Sequence, residues 1–361
     1  MAPPAPARPE PGGHLLVWAP ERLGDLIQAQ PVLETARLAV DAPGSPWTRL
    51  SVLVRADLAP VFSGGPLARV LVPFGGGGAS GRSELGAAPA RDRLAELAPD
   101  AALLLTGSPR AGWRARAAGI PLRAGASVAG RGPLLTHRLV PPTRAGRLVA
   151  TPTAHLLRDL AGLVGLFPGD RRPRLEVSSE GAARGASLRQ AAGLAPDEPH
   201  ALVCPGALLE SARLWAPPRF AEAVEALHGR RGLRSLIAGA PGEERVLAAV
   251  AAAAPHGISL AGEQPDLGSL LSLVQGAALV VTGASGPRWL ATALGTPCVR
   301  LFGPDAAELD AACLDACEPV AVAGLPCAPC HEDRCALDHH ACMVDLPAAR
   351  VVAAAERLLD A

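Results

Sequence analysis

The residues best suited to chemistry stand in short segments that each follow an apolar run. The first is Pro20-Glu21-Arg22-Leu23-Gly24-Asp25-Leu26-Ile27, directly after His14-Leu-Leu-Val-Trp18 and opening a stretch of helical character. Asp25 is suited to take a proton from a hydroxyl as a general base; an ordinary helix cap accounts for the same residue. The second runs from Cys204-Pro205-Gly206-Ala207 through Glu210-Ser211-Ala212-Arg213-Leu214-Trp215 to Pro218-Arg219-Phe220. Its cation, Arg213, presents a planar fork that fits phosphate oxygens, although an arginine in a polar loop is more often just solvated. The third is Thr282-Gly283-Ala284-Ser285-Gly286-Pro287, where an apolar run enters a turn with two glycines and Pro287 suits the first turn of a helix. Amides at such a helix start favour an anion, yet the motif is not GxGxxG and similar junctions occur in folds that bind nothing. The fourth is Gly239-Ala240-Pro241-Gly242-Glu243-Glu244, whose acids can accept from ribose hydroxyls or simply start a solvated helix.

A fifth cluster lies near the end: Cys327, Cys330, Cys335 and Cys342, with His331, His339 and His340 nearby. These ligand types suit zinc or an iron-sulfur centre, but only the first spacing, two residues between cysteines, is a usual metal knuckle. A structural metal or disulfide clip, reduced packing cysteines and a redox role all remain open. Catalysis requires none of them.

These segments need elements that hold them still. Short apolar runs of strand length alternate with helical stretches: His14–Trp18, a helix near Asp25 to Val40, Leu50–Val54, a helix-like Arg91 to Leu97, then Ala101–Leu105. The pattern restarts at Ala201–Cys204 and continues through Arg219 to Leu227, Ser235–Ala238, Arg245 to Ala254, Ala278–Val281, Pro287 to Leu294 and Cys298–Phe302. Such alternation argues for parallel sheets covered on both faces. Two α/β halves are implied, with 168 to 199 breaker-rich enough to hold a linker. The stretch from Gly64 to Gly86, containing Gly75-Gly-Gly-Gly78, reads as a mobile loop.

Composition excludes some functions. The chain has 361 residues, long enough for about two domains, and 49% are hydrophobic. Its 34 basic and 34 acidic side chains cancel, so bulk charge gives no reason to expect nucleic acid as a partner. No Lys, Asn or Tyr is present, and Ala, Arg, Gly and Pro abound, as GC-rich coding would produce. No apolar run reaches the roughly 18 residues of a membrane span. Met1 to Gly13 lacks the pattern of a secretory signal and reads as a disordered tail on a cytoplasmic protein.

Taken in order, the segments resemble glycosyltransferase family 9, the bacterial heptosyltransferases of lipopolysaccharide synthesis. The resemblance spans nearly the whole chain: LGD after the first strand, Leu135-Thr-His-Arg138, PGA with SAR and Trp215, and PPRF at a helix start. AGAPGEE, Leu260-Ala261-Gly262, the SGP helix, ALGTP, LFGP and the Cys-rich tail continue it. It implies an α/β, GT-B architecture of two Rossmann-like domains with mostly parallel sheets facing across a cleft. The implied division is a tail at 1–12, an acceptor domain at 13–170, a linker at 171–198, a nucleotide-sugar domain at 199–345 carrying the Cys-rich segment 327–342, and a terminal helix at 346–361.

The resemblance further implies an inverting enzyme that needs no metal or other cofactor. Its donor would be a nucleotide-sugar, typically ADP-heptose, and its acceptor a lipopolysaccharide core or related glycan met by peripheral inner-membrane contact. Asp25 matches the family's catalytic base and Arg213 its phosphate-binding Lys. Gly206, Ser211, Glu243, Thr282, Ser285, Gly286 and Trp289 fall where the donor is held. Two departures matter: Ala284 stands where the family has an Asp, and Trp289 where it has a His on the next helix. Leu208 and Leu209 also replace expected polar residues. These changes keep open a non-catalytic binding or assembly module on the same scaffold, and the cysteines a metal-dependent regulator.

Overall fold

The computed structural model describes residues 12–75, 94–144, 147–169, 172–206, 211–263, 265–283, 286–307, 309 and 317–361. Contacts divide the chain into two compact units, Met1–Arg174 and Leu175–Ala361.

The first unit runs β1 (Gly13–Trp18), α1 (Leu23–Val40), β2 (Trp47–Arg55), β3 (Leu71–Phe74), β4 (Ala101–Leu104), α2 (Pro109–Ala117), β5 (Leu122–Ala126) and β6 (His137–Leu139). A small antiparallel pair, β7 (Thr143–Arg144) and β8 (Arg147–Leu148), and α3 (Thr153–Gly162) complete it. The sheet order is β3-β2-β1-β4-β5-β6, and every pairing in it is parallel. All six residues of β1 are buried, the mark of a central strand covered on both faces. Leu16, Trp18, Leu53, Ala102 and Leu104 share one core cluster. Helix α1 carries Pro31 inside it, which removes one backbone donor. The buried Leu26, Ile27, Ala29, Val32, Leu33 and Ala36 hold it through that break.

The second unit runs α4 (Ser179–Ala191), β9 (His200–Cys204), α5 (Pro217–Arg231), β10 (Arg234–Ile237), α6 (Glu244–Ala253), β11 (Gly257–Ser259) and α7 (Leu267–Gln275). It continues with β12 (Leu279–Thr282), α8 (Pro287–Leu294), β13 (Cys298–Phe302), β14 (Cys317–Ala321), α9 (Ala341–Val344) and α10 (Ala348–Leu359). The order β11-β10-β9-β12-β13-β14, again all parallel, repeats the first sheet strand for strand. Both sheets are thus doubly wound, with the strand order reversing between β1 and β4 and between β9 and β12. The two α/β halves expected from the sequence are present, as two Rossmann-like units of the GT-B kind.

Two expectations need correction. Residues 171–198, expected to link the halves, contain helix α4, and from Leu175 onward they belong to the second unit. Ser178 caps that helix by accepting from the Gly181 amide at 3.1 Å. A β-carbon at Gly181 would meet the Gly268 carbonyl oxygen at 2.6 Å, and one at Gly185 the Ser272 hydroxyl at 2.4 Å. These two glycines let α4 lie against α7 almost backbone to backbone. In the same way Gly64 to Gly86 is not all loop: Pro66–Val70 is a 3-10 turn and Leu71–Phe74 is strand β3, while 76–93 lie outside the described residues.

The terminal helix α10 packs Val351, Val352, Ala354 and Ala355 into the second core. Trp215 Nε1 donates to the Leu346 carbonyl at 2.9 Å and anchors its approach. Among the described residues no helix is long and apolar enough to cross a membrane.

Candidate active site

In open parallel sheets the ligand crevice lies beyond the carboxyl ends of the strands where their order reverses. In the second unit that point is flanked by the turns after β9 and β12. They meet closely: a β-carbon at Gly283 would come 2.4 Å from the Pro205 carbonyl oxygen and 3.9 Å from that of Arg213. Only glycine allows this approach. Gly206 takes the left-handed φ of +66°, which turns the chain away from β9. Ala207 to Glu210, with Leu208 and Leu209, lie outside the described residues, as do Ala284 and Ser285.

Arg213 re-enters this point on a short turn in which its amide donates to Ser211 Oγ at 3.2 Å. Its guanidinium is held by carboxylates. Nε donates to both Asp305 oxygens at 3.2 and 3.3 Å, and Nη2 donates to Asp305 at 3.2 Å. Nη1 pairs with Asp333, and Nη2 reaches the His331 carbonyl at 3.4 Å. Partial burial pulls its pKa down, but the two aspartates outweigh this and hold it above the ordinary arginine value. Asp305 is braced from behind by Arg300, 3.7 Å away, whose guanidinium lies 4.2 Å from the Phe302 ring centroid. Arg213 stands out in the sequence beside its turn, whereas Asp305, Asp333 and Arg300, distant in the chain, drew no expectation. The run Phe302-Gly-Pro-Asp305 after β13 is the one local signal that could have drawn attention to Asp305.

Glu243 stands at the start of α6, beyond β10. One carboxylate oxygen accepts from the Ala240 amide at 3.1 Å and lies over Gly239, where a β-carbon would meet it at 2.5 Å. Burial raises its pKa, the Ala240 amide pulls it back, and Glu244 raises it further.

The turn after β12 divides its residues between surface and core. Thr282 is fully buried, and its hydroxyl donates to the Gly283 carbonyl at 3.3 Å. Gly286 caps α8 with helical backbone angles. Trp289 is only 7% exposed, and the Arg288 guanidinium, wholly buried, stacks 3.4 Å from its ring centroid. Thr282 and Trp289, expected where the donor is held, have their side chains buried in the second unit. Arg288, Trp289, Leu290 and Ala291 are consecutive and all buried, so the first turn of α8 is enclosed on every side and not along one face alone.

In the first unit the corresponding turn follows β1. Arg22 takes the cap position of α1 without a side-chain cap bond, so Asp25 lies half-buried inside the first turn, where the helix dipole favours its charge. Beside it Glu21, given no role by the sequence, has one carboxylate oxygen buried with no hydrogen-bond partner among the described residues. Burial raises its pKa, and Arg55 and Arg114 pull it down.

The Cys-rich segment lies against the Arg213 turn. Ala212 donates to the Asp333 carbonyl and His331 donates to the Pro304 carbonyl, each at 2.8 Å. Cys327, Cys330, Cys335 and Cys342 are free thiols. Backbone amides lower the Cys335 pKa, while burial and then the other three thiols raise that of Cys342. Among the described residues no three His, Cys, Asp or Glu side chains are arranged to hold a metal ion.

This geometry defines a class: a doubly wound α/β protein with a glycine turn and a cationic loop at the switch point of its second unit, where ligands of such sheets bind. The family model of glycosyltransferase family 9 (heptosyltransferase) matches residues 90–341, so the chain belongs to that family and is a glycosyltransferase. Solved structures agree on the fold. Escherichia coli ADP-heptose lps heptosyltransferase II aligns with a TM-score of 0.76 at 22% identity, over 96% of this chain and 98% of that one. E. coli heptosyltransferase WaaC with ADP-2-deoxy-2-fluoro heptose aligns with a TM-score of 0.58 at 17% identity, over 81% and 90%. The bacterial iron-containing dodecameric glycosyltransferase TibC from enterotoxigenic E. coli aligns with a TM-score of 0.52 at 14% identity, over 98% and 77%. No curated protein sequence is significantly similar to the chain.

Proposed function

We propose that the chain transfers a sugar, a heptose, from an ADP-sugar to a hydroxyl of a lipopolysaccharide-core or related glycan acceptor, with inversion at the anomeric carbon. One observation carries this reading: the Arg213 turn and the Gly283 turn converge at the switch point of the second unit, so a guanidinium and a helix start can share one diphosphate. A solved relative is described as WaaC with an ADP-heptose analogue, which supports the choice of donor.

Asp25 takes the proton of the acceptor hydroxyl as its oxygen bonds to the anomeric carbon. On the opposite face the bond from that carbon to the diphosphate oxygen breaks, and its electron pair leaves with the nucleoside diphosphate. Arg213 and the amides at the start of α8 neutralise the charge developing there. Positive charge from the protein itself makes a metal ion unnecessary for this step. Glu243 accepts from the ribose hydroxyls. Ala284 removes a carboxylate expected beside the sugar, so discrimination among sugars is weaker than discrimination among nucleotides.

Turnover of ADP-heptose tests the mechanism. Asp25→Ala and Arg213→Ala are each expected to lower kcat/KM by about 100-fold or more, the usual reach of a general base or an electrostatic clamp. Wild-type rates in both variants would refute it. Ala284 and Trp289, standing where the family has an Asp and a His, favour a second reading, a binding module without turnover, and Trp289 is buried against Arg288. Calorimetry with a panel of nucleotide-sugars separates the two: release of free ADP means the enzyme, and binding without release the module.

A further inference from the structure

The two carboxylates on Arg213 differ in kind. Asp305 takes Nε and Nη2 with three contacts, is itself only 21% exposed, and is backed by Arg300. Asp333 touches Nη1 alone and is 92% exposed. One edge of the guanidinium is therefore fixed to the protein, while its remaining nitrogen carries an acid that water already surrounds. Exposed ion pairs are worth little, so Asp333 holds its place weakly. A diphosphate brings more charge and several acceptor oxygens to the same nitrogen and outcompetes it.

The backbone supports this division. The Asp333 carbonyl accepts from Ala212 and the His331 amide donates to Pro304, so the chain beneath the acid is pinned to the Arg213 turn. The side chain can swing out without moving its loop.

We propose that Asp305 is a positioning residue that aims Arg213, and that Asp333, carried on the Cys-rich segment, covers the phosphate-facing nitrogen of Arg213 as a stand-in anion until the donor displaces it. This rests on the reading of Arg213 as a diphosphate ligand. It makes the segment between Cys330 and Cys335 part of the donor site, a role that does not depend on the state of its thiols.

The test is calorimetric titration of ADP into the full-length wild type and into Arg213→Ala, Asp305→Asn, Asp305→Glu and Asp333→Asn, followed by steady-state kinetics with ADP-heptose. Removing an exposed competitor is expected to tighten ADP binding in Asp333→Asn by about two- to fivefold and to lower KM for the donor by a similar factor. Asp305→Asn is expected to weaken ADP by about tenfold or more and to lower kcat together with kcat/KM, with Asp305→Glu recovering part of both. Should Asp305→Asn fail to fold, the glutamate variant and the exposed Asp333→Asn still decide the matter. Wild-type or weaker ADP binding in Asp333→Asn, or wild-type behaviour in both Asp305 variants, overturns the proposal. If Arg213→Ala itself binds ADP as the wild type does, the diphosphate reading falls and this inference with it. If Arg213→Ala loses ADP while Asp305→Asn and Asp333→Asn match the wild type, only this inference falls.

Discussion

At the scale of single residues, the site depends on charges whose partners are far away in the chain. Glu21 gives a direct handle. Burial raises its pKa above the ordinary 4.5, with Arg55 and Arg114 opposing, so the folded chain holds this proton more tightly than the unfolded chain. Its contribution to stability is then fully present below 4.5 and is lost as pH rises through the raised folded value. Glu21→Gln cannot ionise and escapes that loss. Thermal melts should show the variant gaining Tm over wild type at about pH 8, with the gain shrinking towards pH 4. A gain that grows on acidification would mean the carboxylate is stabilised, not strained, by its surroundings. The same scale shows what the sequence conveys. Asp25 and Arg213 stood out because their types matched a chemistry beside a turn. Asp305 and Asp333, which lie 92 and 120 residues from Arg213, could not be paired with it before the fold brought them together. Thr282 and Trp289 stood out by their motif, whereas their burial in the second unit could be known only from the packing around them.

At the scale of elements, the central strands were legible because their apolar runs are buried on both sides, and that pattern needs no knowledge of neighbours; β3, β6, β11 and β14, partly exposed at or near the sheet edges, and β5 gave no such run and went unread. Strand order was not legible, since parallel pairing is set by crossovers that leave no mark in local composition. Helix α4 was hidden for a different reason: the breakers ahead of it, Pro168-Gly169 and Pro173, made the whole stretch read as a linker, yet inside the helix Gly181 and Gly185 are required where α4 meets α7. Gly181→Ala should raise helix propensity and still destabilise the protein, because the added carbon would sit 2.6 Å from a backbone oxygen that cannot rotate away. Overpacking of this kind costs about 1–3 kcal/mol, measurable as a lower urea midpoint. A stabilised Gly181→Ala would show that α4 is held less closely than its geometry indicates.

At the scale of the whole molecule, the two units share one strand order but carry different chemistry at their switch points. The first offers carboxylates, Glu21 and Asp25, after β1. The second offers Arg213 and the start of α8 after β9 and β12. An anionic nucleotide should therefore bind the second unit and leave the first nearly unaffected. Ligand binding to the native state stabilises by about 2.7 kcal/mol at 100 times Kd. For a folded body of 150–250 residues that corresponds to a rise of roughly 5–10 °C in Tm. Hydrogen exchange on the full chain should place the accompanying protection at the ends of β9 and β12 and the start of α8. Arg213→Ala should abolish both effects, because the remaining backbone amides cannot hold a diphosphate against water without the guanidinium. Protection confined to the first unit, or a Tm shift that survives Arg213→Ala, would put the nucleotide elsewhere and leave the convergence of the Arg213 and Gly283 turns without a ligand.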